Sequence, residues 1–205
     1  MLHPQHKIRQ IHIPKTGGQS VRISFGWDTV GHSTYKDASK IDKDTQFLAM
    51  FRCPFDRAVS IYRYFEQATD VDFTTTSPDR RDHLCHQEYI RAWNPGPSVY
   101  WENIDPEKIR PLTQHFRNQY WWIKGGQIGK DIHLYDFGKF DSEISRMAKD
   151  FGLKRKKSDI HTKKTKRKSA QEELSPKAIN RIARFYARDI EVMKQAGFPF
   201  SIHFE

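Results

Sequence analysis

Lys7-Ile8-Arg9-Gln10-Ile11-His12-Ile13, then Pro14-Lys15-Thr16-Gly17-Gly18-Gln19-Ser20, then Val21 to Phe25, is the stretch on which the fold turns. Its first part alternates apolar and polar residues, which predicts a short strand. Its second part holds a proline and two glycines, the residues of turns. From Val21 the pattern is that of a helix start. The same order recurs further along. Gln46 to Phe51 is a near-continuous apolar run, as expected of a strand buried on both faces. Arg52-Cys53-Pro54 ends it, and Phe55 to Gln67 reads as a helix with Pro54 near its first turn. Ile132 to Phe137 reads as a third strand, passing through Gly138 to a helix from about Asp141 to Phe151 that Gly152 caps. Strands alternating with helices predict an α/β fold, a central parallel sheet flanked by helices.

The last helix is expected over about 175–196. Ser175 suits the N-cap and Pro176 the first helical position. Ile179, Ile182, Ala183, Tyr186, Ile190 and Met193 form one stripe before Gly197. Residues 68–131, rich in Trp, Pro and His, predict helices and loops that shape a cleft. A length of 205 residues fits one domain over 1–205. Hydrophobic residues at 37% and aromatics at 13% exclude disorder of the whole chain. Two cysteines, Cys53 and Cys85, exclude a disulfide scaffold, and the spacing of His83, Cys85 and His86 is wrong for zinc. No metal is expected.

A mean hydropathy of −0.82 and the lack of an 18-residue apolar run exclude a transmembrane helix. The first residues lack the apolar core of a signal peptide, so a protein of the reducing cytoplasm is expected. The formal charge of +10 points to an anionic partner. That charge is concentrated. Lys154 to Lys168 holds nine basic residues and one acidic one, leaving 26 and 24 elsewhere.

A strand, a Gly-containing turn and a helix start make an anion site, because first-turn N–H groups and the helix dipole both favour negative charge. Lys15, Thr16, Gly17, Gly18 and Ser20 stand where such a site belongs. The loop is not a Walker A sequence, since its lysine precedes both glycines. Arg52 and Ser60 repeat the geometry: a strand-terminal guanidinium able to grip phosphate bidentately, and a helical hydroxyl able to donate to the same group.

Together, His12 to Ser20 and Phe51-Arg52-Cys53-Pro54-Phe55-Asp56-Arg57-Ala58-Val59-Ser60-Ile61-Tyr62 resemble the sulfotransferases that use 3′-phosphoadenosine 5′-phosphosulfate (PAPS). The likeness is to their carbohydrate branch, which includes heparan sulfate 2-O-sulfotransferase and bacterial relatives. Phe185 to Glu191 is similar to the family's closing helix. The resemblance implies a P-loop-like phosphate site. It gives Lys15, Thr16, Gly17, Gly18, Gln19 and Ser20 to the 5′-phosphosulfate, and Arg52 and Ser60 to the 3′-phosphate. Gln19 stands where the family has threonine, and Cys53 where it has Asp or Asn. Asp141 stands where relatives tend to have Glu.

The implied reaction moves a sulfuryl group from PAPS to a hydroxyl of a carbohydrate, leaving PAP. Phenols, steroids, lipids and peptide tyrosines are the other acceptors of the family's chemistry. Such a loose in-line transfer needs positioning and charge stabilisation, a task for Lys15. It also needs a general base, and a histidine suits that role. His32 lies between the two phosphate elements, where similar enzymes carry a histidine; Glu66 is a substitute, because some of them use glutamate. For the basic loop at about 154–170 the resemblance implies a lid over the nucleotide, with Lys163, Lys164, Thr165, Lys166 and Arg167 as its contacts. The same residues also fit a solvated loop. A nucleic-acid patch is disfavoured, because the segment has no aromatic residue for stacking. Trp93, Trp101, Trp121 and Trp122 fit sugar stacking or a packed core alike. Without an anchor, a bacterial enzyme is expected rather than a Golgi one. The rival classes are a non-enzymatic nucleic-acid or polyanion binder using 154–168, and a nucleotide kinase on a related scaffold.

Overall fold

The computed structural model describes residues 7–27, 32–41, 44–67, 90, 93–105, 108, 114–156 and 169–202. Among them the chain groups into two compact units, each drawing on separated stretches. The first holds the described residues up to Cys53, those from Asn118 to 156, and Glu191–Pro199. The second holds those from Pro54 to Arg117, from 169 to Ile190, and from Phe200 to 202.

In the first unit, β1 (Ile8–Gln10), β2 (Gln46–Phe51) and β3 (Ile132–Asp136) form a three-stranded parallel sheet in that order. Ile8 aligns with Gln46, Phe47 with Ile132 and Phe51 with Asp136. Parallel neighbours need long crossovers, and the chain supplies helices there. Helices α1 (Gly18–Phe25) and α2 (Tyr35–Ile41) lie between β1 and β2 in sequence. Before β3 comes α5 (Gln119–Ile123), and after it α6 (Phe140–Phe151). β2 is buried from Phe47 to Phe51, which accounts for its unbroken apolar sequence.

Val21, Phe25 and Trp27 pack with Leu48, Met50, Tyr135, Ile144 and Met147 in one core. This burial, rather than helix propensity, holds an eight-residue helix such as α1 in place. Gly152 caps α6 at φ +63, as its position predicts. β1 is shorter than the alternation over 7–13 predicts. Ile11 still donates to the Leu48 carbonyl at 2.8 Å, but the Ile13 carbonyl is taken by the Thr16 hydroxyl, which starts the turn early.

In the second unit, α3 (Pro54–Gln67) packs with α4 (Gly96–Asn103) and α8 (Pro176–Phe185). The Trp101 indole N–H donates to the Ala58 carbonyl at 3.1 Å. Arg57, fully buried, donates to the carbonyls of His115 and Arg117 at 2.8 and 2.9 Å. A short helix α7 (Ala170–Glu173) precedes α8, and its Glu173 takes Arg63 at 2.6 Å.

The C-terminal stripe forms two helices instead of one, α8 and α9 (Ala187–Gln195). The break is at Tyr186, at φ −104 and ψ 25. Its buried hydroxyl donates to the Phe116 carbonyl at 3.3 Å, and Arg57 lies over its ring at 5.5 Å. Held at its hydroxyl and on its ring face, Tyr186 takes a turn conformation, while the i→i−4 bonds of Tyr186 and Ile190 continue across it.

Candidate functional site

The site lies in the first unit, at the C-terminal ends of the strands. The turn after β1 is left-handed at Lys15 (φ +67) and at Gly17 (φ +81). A left-handed lysine costs on the order of 1–2 kcal/mol, and such strain collects at functional sites. Gly17 is the N-cap of α1, and no side chain caps the helix, whose first turn carries no acidic residue. Its first-turn N–H groups therefore lack the acceptor that Ser, Thr, Asp or Asn would bring.

Packing also requires both glycines. A Cβ on Gly17 would run into the Phe137 ring, and one on Gly18 into the His12 imidazole. The loop is thus cradled between two aromatic side chains, of which Phe137 stands outside both phosphate motifs.

Arg52 is positioned by three contacts. Gln119, wholly buried, accepts from the Arg52 backbone N–H and donates to its carbonyl, both at 2.8 Å. The guanidinium stands 4.7 Å over the Phe137 ring. Its Nη1 donates to the Lys15 carbonyl at 3.3 Å. The two motif arginine and lysine residues, read separately from sequence, are thereby joined.

The other expected site residues divide. Thr16 is 1% exposed, and its hydroxyl donates inward to Ile13 at 3.0 Å, so it builds the turn. Gln19 accepts from Arg22 Nε at 2.9 Å on the exposed side of α1. Ser20 is half-buried in the first turn. Ser60 is buried on α3 and belongs to the second unit. Glu66, also of that unit, is held by Arg63 at 2.8 Å. Lys163, Lys164, Thr165, Lys166 and Arg167, like His83, Cys85 and His86, lie outside the described residues. The beginning of the basic segment is described: the Lys156 N–H donates to the Ser24 carbonyl at 2.7 Å, near the far end of α1 from the loop.

His32 stands beside the loop. Its Nδ1 bonds the His12 carbonyl at 2.9 Å. A carbonyl only accepts, so Nδ1 carries the proton and the neutral ring keeps its lone pair on Nε2. The two imidazoles lie 4.5 Å apart, and the His32 ring is 5.6 Å from Trp122. Burial first, and then the neighbouring His32, push the His12 imidazole down to about 3. His12 is therefore neutral throughout the physiological range, and it packs on Gly18 as an uncharged ring.

Asp136 is a further residue that its motif context does not single out. It is buried at the end of β3, in register with Phe51. Its Oδ1 accepts from the Gly138 N–H at 2.7 Å, and Oδ2 has no hydrogen-bond partner among the described residues. Burial pushes its carboxyl above the usual range.

The four tryptophans of the middle segment also divide. Trp101 and Trp122 are core residues, whereas Trp93 and Trp121 are 39% and 37% exposed. Among the described residues no helix is long and apolar enough to cross a membrane. No protein-family model, curated protein or solved structure matches the chain.

Proposed function

We propose that this chain is a PAPS-dependent sulfotransferase, with a P-loop-like phosphate site in a single functional domain, acting on a carbohydrate hydroxyl. The observation that carries this reading is the Arg52–Lys15 hydrogen bond at the edge of the sheet. It joins two cationic residues beside an uncapped helix start, whose two glycines are packed against Phe137 and His12. Such a constellation suits a ligand with several anionic groups.

In this reading the acceptor oxygen attacks sulfur in line, forming an O–S bond. The bond between sulfur and the oxygen of the 5′-phosphate breaks, and its electron pair leaves on PAP. Lys15 stabilises the charge that builds on the departing oxygen. His32 Nε2, left unprotonated by the Nδ1–H bond to His12, takes the acceptor's proton. Arg52 holds the 3′-phosphate. Ser60 and the lid residues Lys164, Lys166 and Arg167 enter from the motif resemblance alone.

Calorimetry with PAP, ATP and a generic oligonucleotide tests the proposal. PAP binding tightly, and ATP and the oligonucleotide weakly, is the expected result. A preference for ATP would favour a kinase, and a preference for the oligonucleotide a polyanion binder; either overturns the reading.

A further inference from the structure

A cavity of about 520 Å³ lies in the first unit, lined by Thr34, Lys36, Asp37, Trp121, Lys124 and Gly125. It forms where α2 packs against α5. We propose that this cavity binds a sugar bearing a carboxylate or sulfate, and so selects charged acceptors over neutral ones. The proposal rests on the sulfotransferase reading for its acceptor role, while the binding itself stands on the residues of the cavity.

Trp121 offers the apolar surface. It is the exposed member of an edge-to-face pair with Trp122, ring centroids 5.0 Å apart, and Trp122 is 1% exposed. The backbone of Trp121 is fixed as well, its N–H donating to the Asn118 side chain at 3.0 Å. A rigid indole in water is a shelf for a flat ligand face. The rim decides which ligand. Thr34, Asp37 and two lysines around one aromatic face suit a pyranose, with an apolar face and polar edge. A phenol or steroid is better served by enclosing apolar walls.

The rim carries more positive than negative charge, two lysines against one carboxylate. The one carboxylate of the cavity, Asp37, accepts from the Thr34 hydroxyl at 2.7 Å and pairs with Lys40 at 3.4 Å. Lys36 and Lys124 are exposed, and neither makes a salt bridge among the described residues. Lys36 shares the field of Asp37 and Lys124 adds a second ammonium group, so the rim beside the stacking surface favours an anion on the ligand.

Trp122 links the cavity wall to the candidate base. Trp122, which backs Trp121, lies 5.6 Å from the His32 ring, and Thr34 follows His32 by two residues. A sugar on Trp121 is one side chain away from His32. A neighbouring sugar of the same chain then presents its hydroxyl for transfer.

The test is calorimetry of the whole protein, without PAPS, at low and at physiological salt. The probes are a tetrasaccharide of alternating glucuronate and N-acetylglucosamine, its carboxyl-reduced neutral form, a sulfated form of the reduced tetrasaccharide, and 2-naphthol. At least one anionic form is expected to bind about tenfold tighter than the neutral one, and the tighter anion names the recognised group. Trp121→Ala is expected to remove binding, and Lys36→Ala with Lys124→Ala to weaken the anionic form alone, all with PAP affinity unchanged. Equal binding of the neutral form, unchanged affinity in the lysine variants, or tighter binding of 2-naphthol would overturn the proposal. Failure of the unaltered protein to bind PAP would overturn the sulfotransferase reading instead, and the tetrasaccharide titration would still decide the cavity.

Discussion

Arg52 and Lys15 stand 37 residues apart in sequence, and the Arg52 guanidinium donates to the Lys15 carbonyl at 3.3 Å. That carbonyl belongs to a residue in the left-handed region, so the contact helps hold a strained turn. The charge of Arg52 and the conformation of Lys15 are therefore coupled. A polyanion at this edge would meet both as one prepared surface.

Lys15→Gly separates charge from conformation. Glycine takes φ +67 without strain, so thermal stability is expected to hold or rise. Sulfuryl transfer is expected to vanish, as in Lys15→Ala and Arg52→Ala. Paired thermal denaturation and PAPS turnover check this, and residual turnover near the unaltered rate would remove Lys15 from the chemistry.

Gln119→Ala leaves the Arg52 side chain intact but removes both clamps on its backbone. The expected cost is about 1–3 kcal/mol of stability, together with weaker PAP binding. Denaturant unfolding and calorimetry measure the two. An unchanged PAP affinity would show that Arg52 needs no such support.

Gly18→Ala drives a methyl group into the His12 ring, and PAP affinity is expected to drop by about tenfold or more with a stability loss of about 1–3 kcal/mol. Adding His12→Ala makes room for it. A double-mutant cycle is expected to show the second substitution offsetting part of the first. Strict additivity would mean that the two residues do not press on one another.

His32→Ala is expected to lower kcat by about 10²–10⁴-fold, with PAP affinity and folding retained. Full activity would sink its assignment as base.

The low value of His12 makes a pH prediction. Its imidazole titrates near 3 in the folded protein and near 6.5 when unfolded. Between those values the unfolded chain binds the extra proton, so stability falls as pH drops from about 6.5 to 3. Its contribution is fully present above 6.5. His12→Phe keeps a ring against Gly18 and removes the titration, so its unfolding free energy is expected to depend less on pH in that window. Parallel pH profiles for the two proteins would expose an error of sign or of residue.

What the chain determined by itself is local: three strands, the helices after them, the caps at Gly152 and Ser175, and the two cationic loops. These follow from apolar spacing and from Pro and Gly, which act through neighbours in sequence. The tertiary structure decided the partners. Gln119 and Phe137 carry no motif, since what makes them matter is contact with residues far away in the chain, such as the Gln119 clamp on Arg52. Likewise, Thr16 looks like a phosphate ligand by type, yet its hydroxyl is turned into the Ile13 carbonyl. The stripe from Ile179 to Met193 is regular enough for one helix; the anchoring of Tyr186 at Phe116 made it two. Trp121 and Trp122, adjacent and chemically identical, were separated only by folding, because α5 turns one to water and the other inward. Sequence spacing states which face a residue occupies, and only packing states what that face meets.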